Sequence, residues 1–248
     1  MAKSNTVAAE TIQRAASFYD AHRDQKSVST TYGYFTHHPV APLNKKRLIL
    51  MLEAIESRSK ALGRPLRVLD LACGGGLITC AVATLGHRAL GLDLSHDEVH
   101  LAQQFALEEK LGGLFWQADL LADPFWEKTV EETLGGKPDV IILAYALHHL
   151  PQVEFFVDRV SRWLPEGATL LINEENPDSP LFRLKHIVRG WIQSDTEVEA
   201  HRTYAGWREL LDTCGFKTSP AVGCDLLPAL GKLSALKCWS LVFTASKS

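Results

Sequence analysis

The sequence has no apolar run long enough to cross a membrane, no internal repeat and no low-complexity tract. A membrane-spanning helix needs about 20 mostly apolar residues, so we expect no such helix. No apolar stretch of the kind found in a secretory signal follows the first residues, Met1 to Asn5, and we expect no such signal. A cytoplasmic protein is the resulting prediction.

The sequence also lacks closely spaced cysteine pairs and a large excess of charge of either sign. Its five cysteines show no C-x-x-C spacing and lie mostly in apolar runs, so we expect reduced, buried thiols rather than disulfides or a zinc site. The net charge is −3, and we expect the longest basic run, Lys45 to Arg47, on the solvated face of a helix. Proteins that bind nucleic acid carry a basic surface stripe, so no nucleic-acid partner is expected.

What the sequence does contain is the composition of an ordinary globular protein. Hydrophobic residues make up 46% and charged residues 22% of its 248 residues, which fits one α/β domain with additions. Helical periodicity predicts helices over 7–23 and 44–60, with an aromatic and histidine-rich loop at 32–39 between them. We predict an N-terminal helical cap over 1–63 and a core over 64–248.

Within the core, short apolar strands alternate with helices. The predicted strands cover 67–71, 88–93, 114–118, 139–144 and 168–173, and the predicted helices cover 76–85, 95–111 and 152–163. This alternation predicts a doubly wound α/β fold with a mostly parallel sheet. Two more strands, 216–222 and 237–244, would complete seven strands, the last of them antiparallel. Residues 176–202 form a predicted insertion before the last helix.

An acidic residue follows each of the first three strands, and ligands of such sheets bind at the carboxyl ends of strands. Asp70 precedes Gly74 to Gly76, where glycines let a ligand approach the backbone and the acid can hold an ammonium group. Asp93 can accept the two hydroxyls of a ribose, and Asp119 suits the exocyclic amine of adenine. Each feature alone is also typical of an ordinary turn or helix cap, but together they favour an adenosine with an amino-acid tail.

The same residues carry a family resemblance. Val68 to Gly76 resembles the first motif of class I S-adenosylmethionine-dependent methyltransferases, and Gly91 to Ser95 resembles their ribose-binding strand end. Ala118 to Leu120 resembles their adenine-contacting turn, and Asp139 to Leu150 their fourth motif. Arg159 to Ala168 resembles the R-x-L-x-P-G-G stretch of the ubiquinone/menaquinone-biosynthesis type, with Ala168 in place of the second glycine.

The resemblance implies a Rossmann-like methyltransferase fold, S-adenosylmethionine as cofactor, and methylation of a small acceptor at O, N or C. It covers residues 64–175 well and 204–216 more loosely. The cofactor residues that it implies are Tyr19, Asp70, Ala72, Cys73, Gly74, Gly76, Asp93, Leu94, Asp119, Leu120 and Ala144.

Two other functions stay open at this point. An NAD(P)-dependent oxidoreductase needs a small third residue in its G-x-G-x-x-G/A turn, and that position holds Thr79, counting from Gly74 and Gly76. A non-catalytic member that binds the cofactor and serves as a partner subunit or scaffold is the second alternative.

For the chemistry, His148 and His149 after the fourth strand are the candidate general bases. The alternative is that one packs under the loop and the other faces solvent. Carboxylates that hold magnesium in catechol-type enzymes are missing from this place, so a metal-independent reaction is predicted.

The acceptor is expected to be partly apolar or aromatic. Its predicted contacts are Tyr32, Tyr34, His37, Tyr145, Glu174 and Trp191. Glu174 has a solvated turn as its alternative. The stretch 181–192 reads as a basic amphipathic helix, with a lid as its preferred function and a dimer or membrane-surface contact as the alternative.

Overall fold

The computed structural model describes residues 2–21, 41–184, 201–224 and 238–248. The chain forms two compact units, Met1–Ile142 and Leu143–Ser248. Strand β4, Val140–Ala144, begins in the first unit and ends in the second. The predicted boundary at residue 63 between a helical cap and a core stays a prediction.

Two long helices open the first unit, α1 (Ala2–Ala21) and α2 (Ala41–Leu62). They pack against each other, and α1 also packs against α3 (Leu77–Thr84). The predicted position of Arg47 on a solvated face is wrong, because Arg47 is 3% exposed and donates a 2.6 Å hydrogen bond to Asn44 Oδ1. Arg47 precedes Met51 by four residues and therefore shares the buried stripe of α2.

The parallel sheet of the first unit has the order β3-β2-β1, formed by β1 (Arg67–Leu71), β2 (Arg88–Asp93) and β3 (Leu114–Gln117). Ser95 caps helix α4 (His96–Glu108) by accepting a 3.3 Å hydrogen bond from Glu98 N, as its capping-box spacing predicts. A further helix, α5 (Trp126–Leu134), was not predicted.

The entry to β1 is fixed by one buried carboxylate, Asp139. Its oxygens accept hydrogen bonds from Arg64 Nη1 and Nη2 at 2.9 and 2.8 Å and from the backbone N of Arg67 at 2.9 Å. Burial raises the pKa of Asp139, but the bonds from Arg64 and Arg67 outweigh it and hold this pKa well below its ordinary value.

The second unit combines helices α6 (Val153–Trp163) and α7 (Tyr204–Thr213) with antiparallel strands. Strand β5 (Thr169–Glu175) pairs with β8 (Ser240–Lys247), which also pairs with the short strands β6 (Phe216–Thr218) and β7 (Val222–Cys224). The single strand predicted over 216–222 is wrong: Pro220 has no N–H to donate to a ladder, and the chain forms two strands around it.

The predicted fold class is confirmed. The chain is a mixed α/β protein with a mostly parallel sheet and antiparallel strands from its C-terminal part, and its described residues hold eight strands rather than seven. All five cysteines are free thiols. No helix in the described ranges is long and apolar enough to cross a membrane.

Candidate functional site

The turn after β1 is shaped by three residues with left-handed backbone. The φ angle is 56° at Ala72, 49° at Gly74 and 77° at Gly76. Glycine adopts such angles freely, whereas for alanine they cost about 1–2 kcal/mol. Strained, exposed backbone of this kind is concentrated at binding sites, and Ala72 is exposed.

The turn lies tightly over the ends of the neighbouring strands. Cys73 N donates to Leu92 O at 3.1 Å, which joins the turn to β2. A Cβ added at Gly76 would lie 2.5 Å from Phe115 Cε1 and 2.8 Å from Ala102 Cβ. Only glycine therefore fits at this position, for reasons of space as well as backbone angle.

Asp93 at the end of β2 holds this turn through its carboxylate. Oδ2 accepts a 2.8 Å hydrogen bond from Gly74 N, and Oδ1 accepts a 2.9 Å bond from Ser95 N. A carboxylate has about four lone-pair positions. Each oxygen of Asp93 thus keeps capacity for one further donor, such as a ligand hydroxyl.

Asp70 lies beneath the same turn and is 2% exposed. Its Oδ2 accepts a 2.7 Å hydrogen bond from Thr79 Oγ1. Burial raises the pKa of Asp70 to about 7; the bond from Thr79 lowers it and the nearby charge of Asp93 raises it further. A cationic group brought to this carboxylate would favour its ionised form.

The end of β3 is joined to the same place, because Ala118 N donates to Asp93 O at 2.9 Å. Asp119 caps the following turn: its Oδ1 accepts 2.9 Å hydrogen bonds from Leu121 N and Ala122 N, which lower the pKa of Asp119. Within the described part of the chain, Oδ2 of Asp119 has no such bond. Leu94, beside Asp93, is 64% exposed and offers an apolar surface.

The second unit contains a buried carboxylate–histidine pair. The φ of 57° at Tyr145 turns the chain from β4 into a short 3₁₀ helix, Leu147–His149. Glu174, in β5, accepts a 2.8 Å hydrogen bond from Leu147 N on Oε1 and lies 2.5 Å from His148 Nδ1 through Oε2. Both side chains are buried, with 6% of His148 and 2% of Glu174 exposed.

Further aromatic rings pack against this pair. The ring of His201 stacks on His148 with centroids 4.7 Å apart and planes inclined by 24°. Phe182 meets His201 edge-on at 4.9 Å, and Tyr145 meets His148 edge-on at 6.2 Å. His149 is exposed, and its ring centroid lies 4.0 Å from that of His148.

A family model described as a methyltransferase domain matches residues 43–218. The chain belongs to this methyltransferase family. The ubiquinone biosynthesis O-methyltransferase of Methylococcus capsulatus is 30% identical over 143 residues, which are 57% of this chain and 53% of that protein. The chain thus spans about half the length of this curated relative, and the same holds for one from Nitrosococcus oceani.

Solved structures show the same methyltransferase fold. The magnesium protoporphyrin IX methyltransferase of Synechocystis, with bound SAH, superposes with a TM-score of 0.57 at 20% identity, over 87% of this chain and 97% of that one. A protein of Pyrococcus horikoshii gives a TM-score of 0.57 at 17% identity, over 87% and 98% of the two chains. At these identities the likeness concerns the fold.

The methyltransferase family match includes both groups of residues described above. In the first unit the structure brings together the turn from Asp70 to Gly76, Asp93 with Leu94, and the segment of Asp119 and Leu120. The thiol of Cys73 is buried, and a Cβ on Gly91 would lie 2.7 Å from Cys73 Sγ; that Cys73 contacts the cofactor stays a prediction. Burial, chiefly, raises the pKa of this thiol.

Other predicted residues have different outcomes. Ala144 belongs to the second unit, and Tyr19 lies in α1 with a side chain outside the described part. Tyr32, Tyr34, His37, Trp191 and residues 185–200 of the predicted lid lie outside the described residues.

The solvated turn considered for Glu174 is wrong, because β5 continues to Glu175 and Glu174 is 1% exposed. Of the two histidines, His148 is buried and His149 is exposed; that either acts as a general base stays a prediction. Sequence reasoning named neither His201 nor Phe182 as an individual site residue, although Phe182 lies in the stretch 181–192 that was predicted as a lid.

Proposed function

We propose that this methyltransferase-family chain uses S-adenosylmethionine to methylate a small, partly apolar or aromatic acceptor without a metal ion. The observation that carries the proposal is the hydrogen bond of 2.8 Å from Gly74 N to Asp93 Oδ2. It unites the glycine turn after β1 with the acid after β2, which is where a nucleoside with an amino-acid tail needs both.

The residues of the first unit fit this cofactor. Asp93 retains acceptor capacity on both carboxylate oxygens for the ribose hydroxyls. The exposed Leu94 offers an apolar face to the adenine, and Asp119 Oδ2 can accept from its amine. Asp70, beneath the exposed backbone of Ala72, supplies the negative charge that an ammonium group requires.

When bound, S-adenosylmethionine supplies an electrophilic methyl group on a sulfonium centre. The chain's own task is then to orient the acceptor and to take its proton. We assign the proton to His148, whose ring is held by Glu174. His149 is the less favoured base because its ring is exposed to solvent, whereas the ring of His148 is buried beside Glu174.

The comparisons support a small acceptor, because the curated relative is named for the O-methylation step of ubiquinone biosynthesis and a structural neighbour for methylation of a porphyrin. The aromatic rings of Tyr145, Phe182 and His201 suit an aromatic or partly apolar molecule. Tyr32, Tyr34, His37 and Trp191 remain proposed acceptor contacts. Five free thiols favour a reducing compartment, and we place the protein in the cytoplasm without a nucleic-acid partner.

Calorimetric titration with S-adenosylmethionine tests the cofactor assignment. Asp93→Asn removes one of the two carboxylate oxygens and the charge, and we expect it to weaken binding at least about tenfold, the loss of about 1.4 kcal/mol. Asp97→Asn is the matched control: this side chain, at the start of α4, is 80% exposed, and its loss should leave affinity within twofold.

Two outcomes would contradict the proposal. Tighter binding of NADH than of S-adenosylmethionine would favour the oxidoreductase, and equal affinities of wild type and Asp93→Asn would remove the ribose assignment. Transfer of labelled methyl groups to a panel of phenols, amines and porphyrins then separates an enzyme from a scaffold that binds the cofactor only.

A further inference from the structure

We propose that Glu174 is a positioning residue that fixes the tautomer of His148, so that Nε2 carries the lone pair that takes the acceptor's proton. The catalytic consequence rests on the proposed function, whereas the tautomer itself is a property of the protein alone. The contact that supports the proposal, between Glu174 and His148, lies entirely within the second unit and joins strand β5 to the 3₁₀ helix Leu147–His149.

Glu174 is held from two directions by donors that lie next to each other in the sequence. Leu147 N–H points at Oε1 at 2.8 Å, and His148 Nδ1 lies 2.5 Å from Oε2. A backbone N–H can only donate, so Oε1 is committed as an acceptor. An ionised carboxylate accepts only, so His148 must donate from Nδ1. The neutral ring is then protonated on Nδ1, and Nε2 holds the lone pair.

Burial strengthens this assignment. The side chain of Glu174 is 2% and that of His148 6% exposed, so neither group can exchange its partner for bulk water. A buried carboxylate left without its donors would be costly. The pair is therefore held in one arrangement rather than in alternating ones.

The other titratable groups around His148 are few within the described residues. His201 stacks on its ring, His149 follows it in the chain, and Tyr145 meets it edge-on. Glu175 lies 3.9 Å from His201 Nε2 through Oε2, so the two stacked imidazoles face two successive carboxylates of β5. Glu174 lies against His148 and Glu175 against His201, which makes Glu175 the natural control.

The lone pair on His148 Nε2 determines where the acceptor's proton goes. With S-adenosylmethionine bound, the acceptor's O–H or N–H bond would break and its proton would bond to His148 Nε2. The acceptor's electron pair would form the bond to the methyl carbon, while the carbon–sulfur bond would break and leave its electron pair on the sulfur, which becomes a neutral thioether. The imidazolium that results is stabilised by the Glu174 carboxylate, and its proton leaves to water afterwards. Glu174 keeps its own charge throughout and acts through His148.

Glu174→Gln should reverse the tautomer. Glutamine has one acceptor oxygen, and Leu147 N–H cannot turn away, so that oxygen stays with the backbone. The amide NH₂ then faces His148 Nδ1, which must become an acceptor, and the ring proton moves to Nε2. The variant therefore loses the lone pair on Nε2, although its side chain has nearly the same shape.

Nitrogen-15 NMR of histidine-labelled protein, without cofactor or acceptor, measures this directly. In the wild type, with the ring neutral, the unprotonated nitrogen of His148 should be Nε2; in Glu174→Gln it should be Nδ1. Glu175→Gln should leave His148 unchanged, and His148→Asn assigns the signals. A wild-type ring protonated on Nε2, or a variant that keeps Nδ1–H, would overturn the proposal, and the wild-type spectrum decides even where the variant does not fold.

Once an acceptor is known, a comparison of kcat with the affinity for S-adenosylmethionine provides the second measurement. Glu174→Gln should lower kcat about a hundredfold, the usual contribution of a general base, with the affinity for S-adenosylmethionine within twofold of wild type. If neither the wild type nor the variants bind S-adenosylmethionine, the proposed function is wrong, but the tautomer result still stands. An unchanged kcat together with a reversed tautomer would overturn the catalytic part of this proposal.

Discussion

Removing the buried acid Asp70 should stabilise the cofactor-free protein in alkaline solution. The folded state raises the pKa of this carboxyl from 3.8 to about 7, chiefly because it is buried. Between these values the folded protein keeps a proton that the unfolded chain has released. Its free energy of unfolding therefore falls as the pH rises through this window and stays low above pH 7. Asp70→Asn is neutral at every pH and escapes this loss.

The size of the effect follows from the two pKa values. The full difference between 3.8 and about 7 corresponds to about 4 kcal/mol, and the part that falls above pH 5 to about 3 kcal/mol. Asparagine also leaves one amide hydrogen in a place built for an oxygen, beside the hydroxyl of Thr79. That cost does not vary with pH, so it cancels when the variant and the wild type are compared at two pH values.

Urea unfolding at pH 5 and at pH 8.5, without cofactor, gives this comparison. The advantage of Asp70→Asn over the wild type should be about 2–3 kcal/mol larger at pH 8.5 than at pH 5. Asp97→Asn, on an exposed side chain, should show no such change. A difference below about 0.5 kcal/mol between the two pH values, within the error of the method, would refute the raised pKa of Asp70. The same variant should bind S-adenosylmethionine more weakly, because the ammonium loses its counter-charge.

Two further predictions concern stability, and urea unfolding measures both. Gly91→Ala should lower the free energy of unfolding by about 1–3 kcal/mol through overpacking, because its Cβ would lie 2.7 Å from Cys73 Sγ and 2.8 Å from Phe115 Cδ1. Gly206→Ala, whose Cβ would have its nearest neighbours at 3.6 Å, should instead raise it by up to about 1 kcal/mol, as helix propensity predicts. Asp139→Asn should lower the free energy of unfolding by about 2 kcal/mol at pH 7. This gap should narrow as the pH falls below about 4, because the pKa of Asp139 is lowered in the folded state and its stabilisation is lost on protonation; a gap as large at pH 2 as at pH 7 would contradict the assignment.

The sequence predicted most of the parallel core, because each buried strand carries its own apolar run and each following helix its own periodicity. It missed α5 (Trp126–Leu134), where an apolar stripe is set in a polar stretch and the N-cap residue, Phe125, has no side chain that can cap the helix. It also placed Arg47 on the surface. The aliphatic part of an arginine can be buried while its guanidinium finds a partner, and composition alone does not reveal that partner.

The residues of the candidate site were also predictable only in part. The acids Asp70, Asp93 and Asp119 were predictable because strand ends of a parallel sheet meet at one edge. The pairing of Glu174 with His148 was not, since it joins residues 26 positions apart and depends on the extension of β5 to Glu175. The packing of His201 on His148 and of Phe182 on His201 could not be predicted either, because stacking of side chains is a property of the tertiary structure.

Thr79 shows how the structure changes an argument made from the sequence. Its size argued against a dinucleotide turn, in which a small residue lets the helix approach the strand. In the structure the small residue lies on the strand instead of the helix: it is Gly91 in β2, where a Cβ would lie 2.9 Å from Thr79 Oγ1. The hydroxyl that this space admits donates to Asp70 and lowers the pKa of this carboxyl against the effect of burial, which favours a negative charge beneath the turn. Such a turn repels a pyrophosphate and attracts an ammonium, which favours an amino-acid tail over a dinucleotide on electrostatic grounds, independently of any count of glycines.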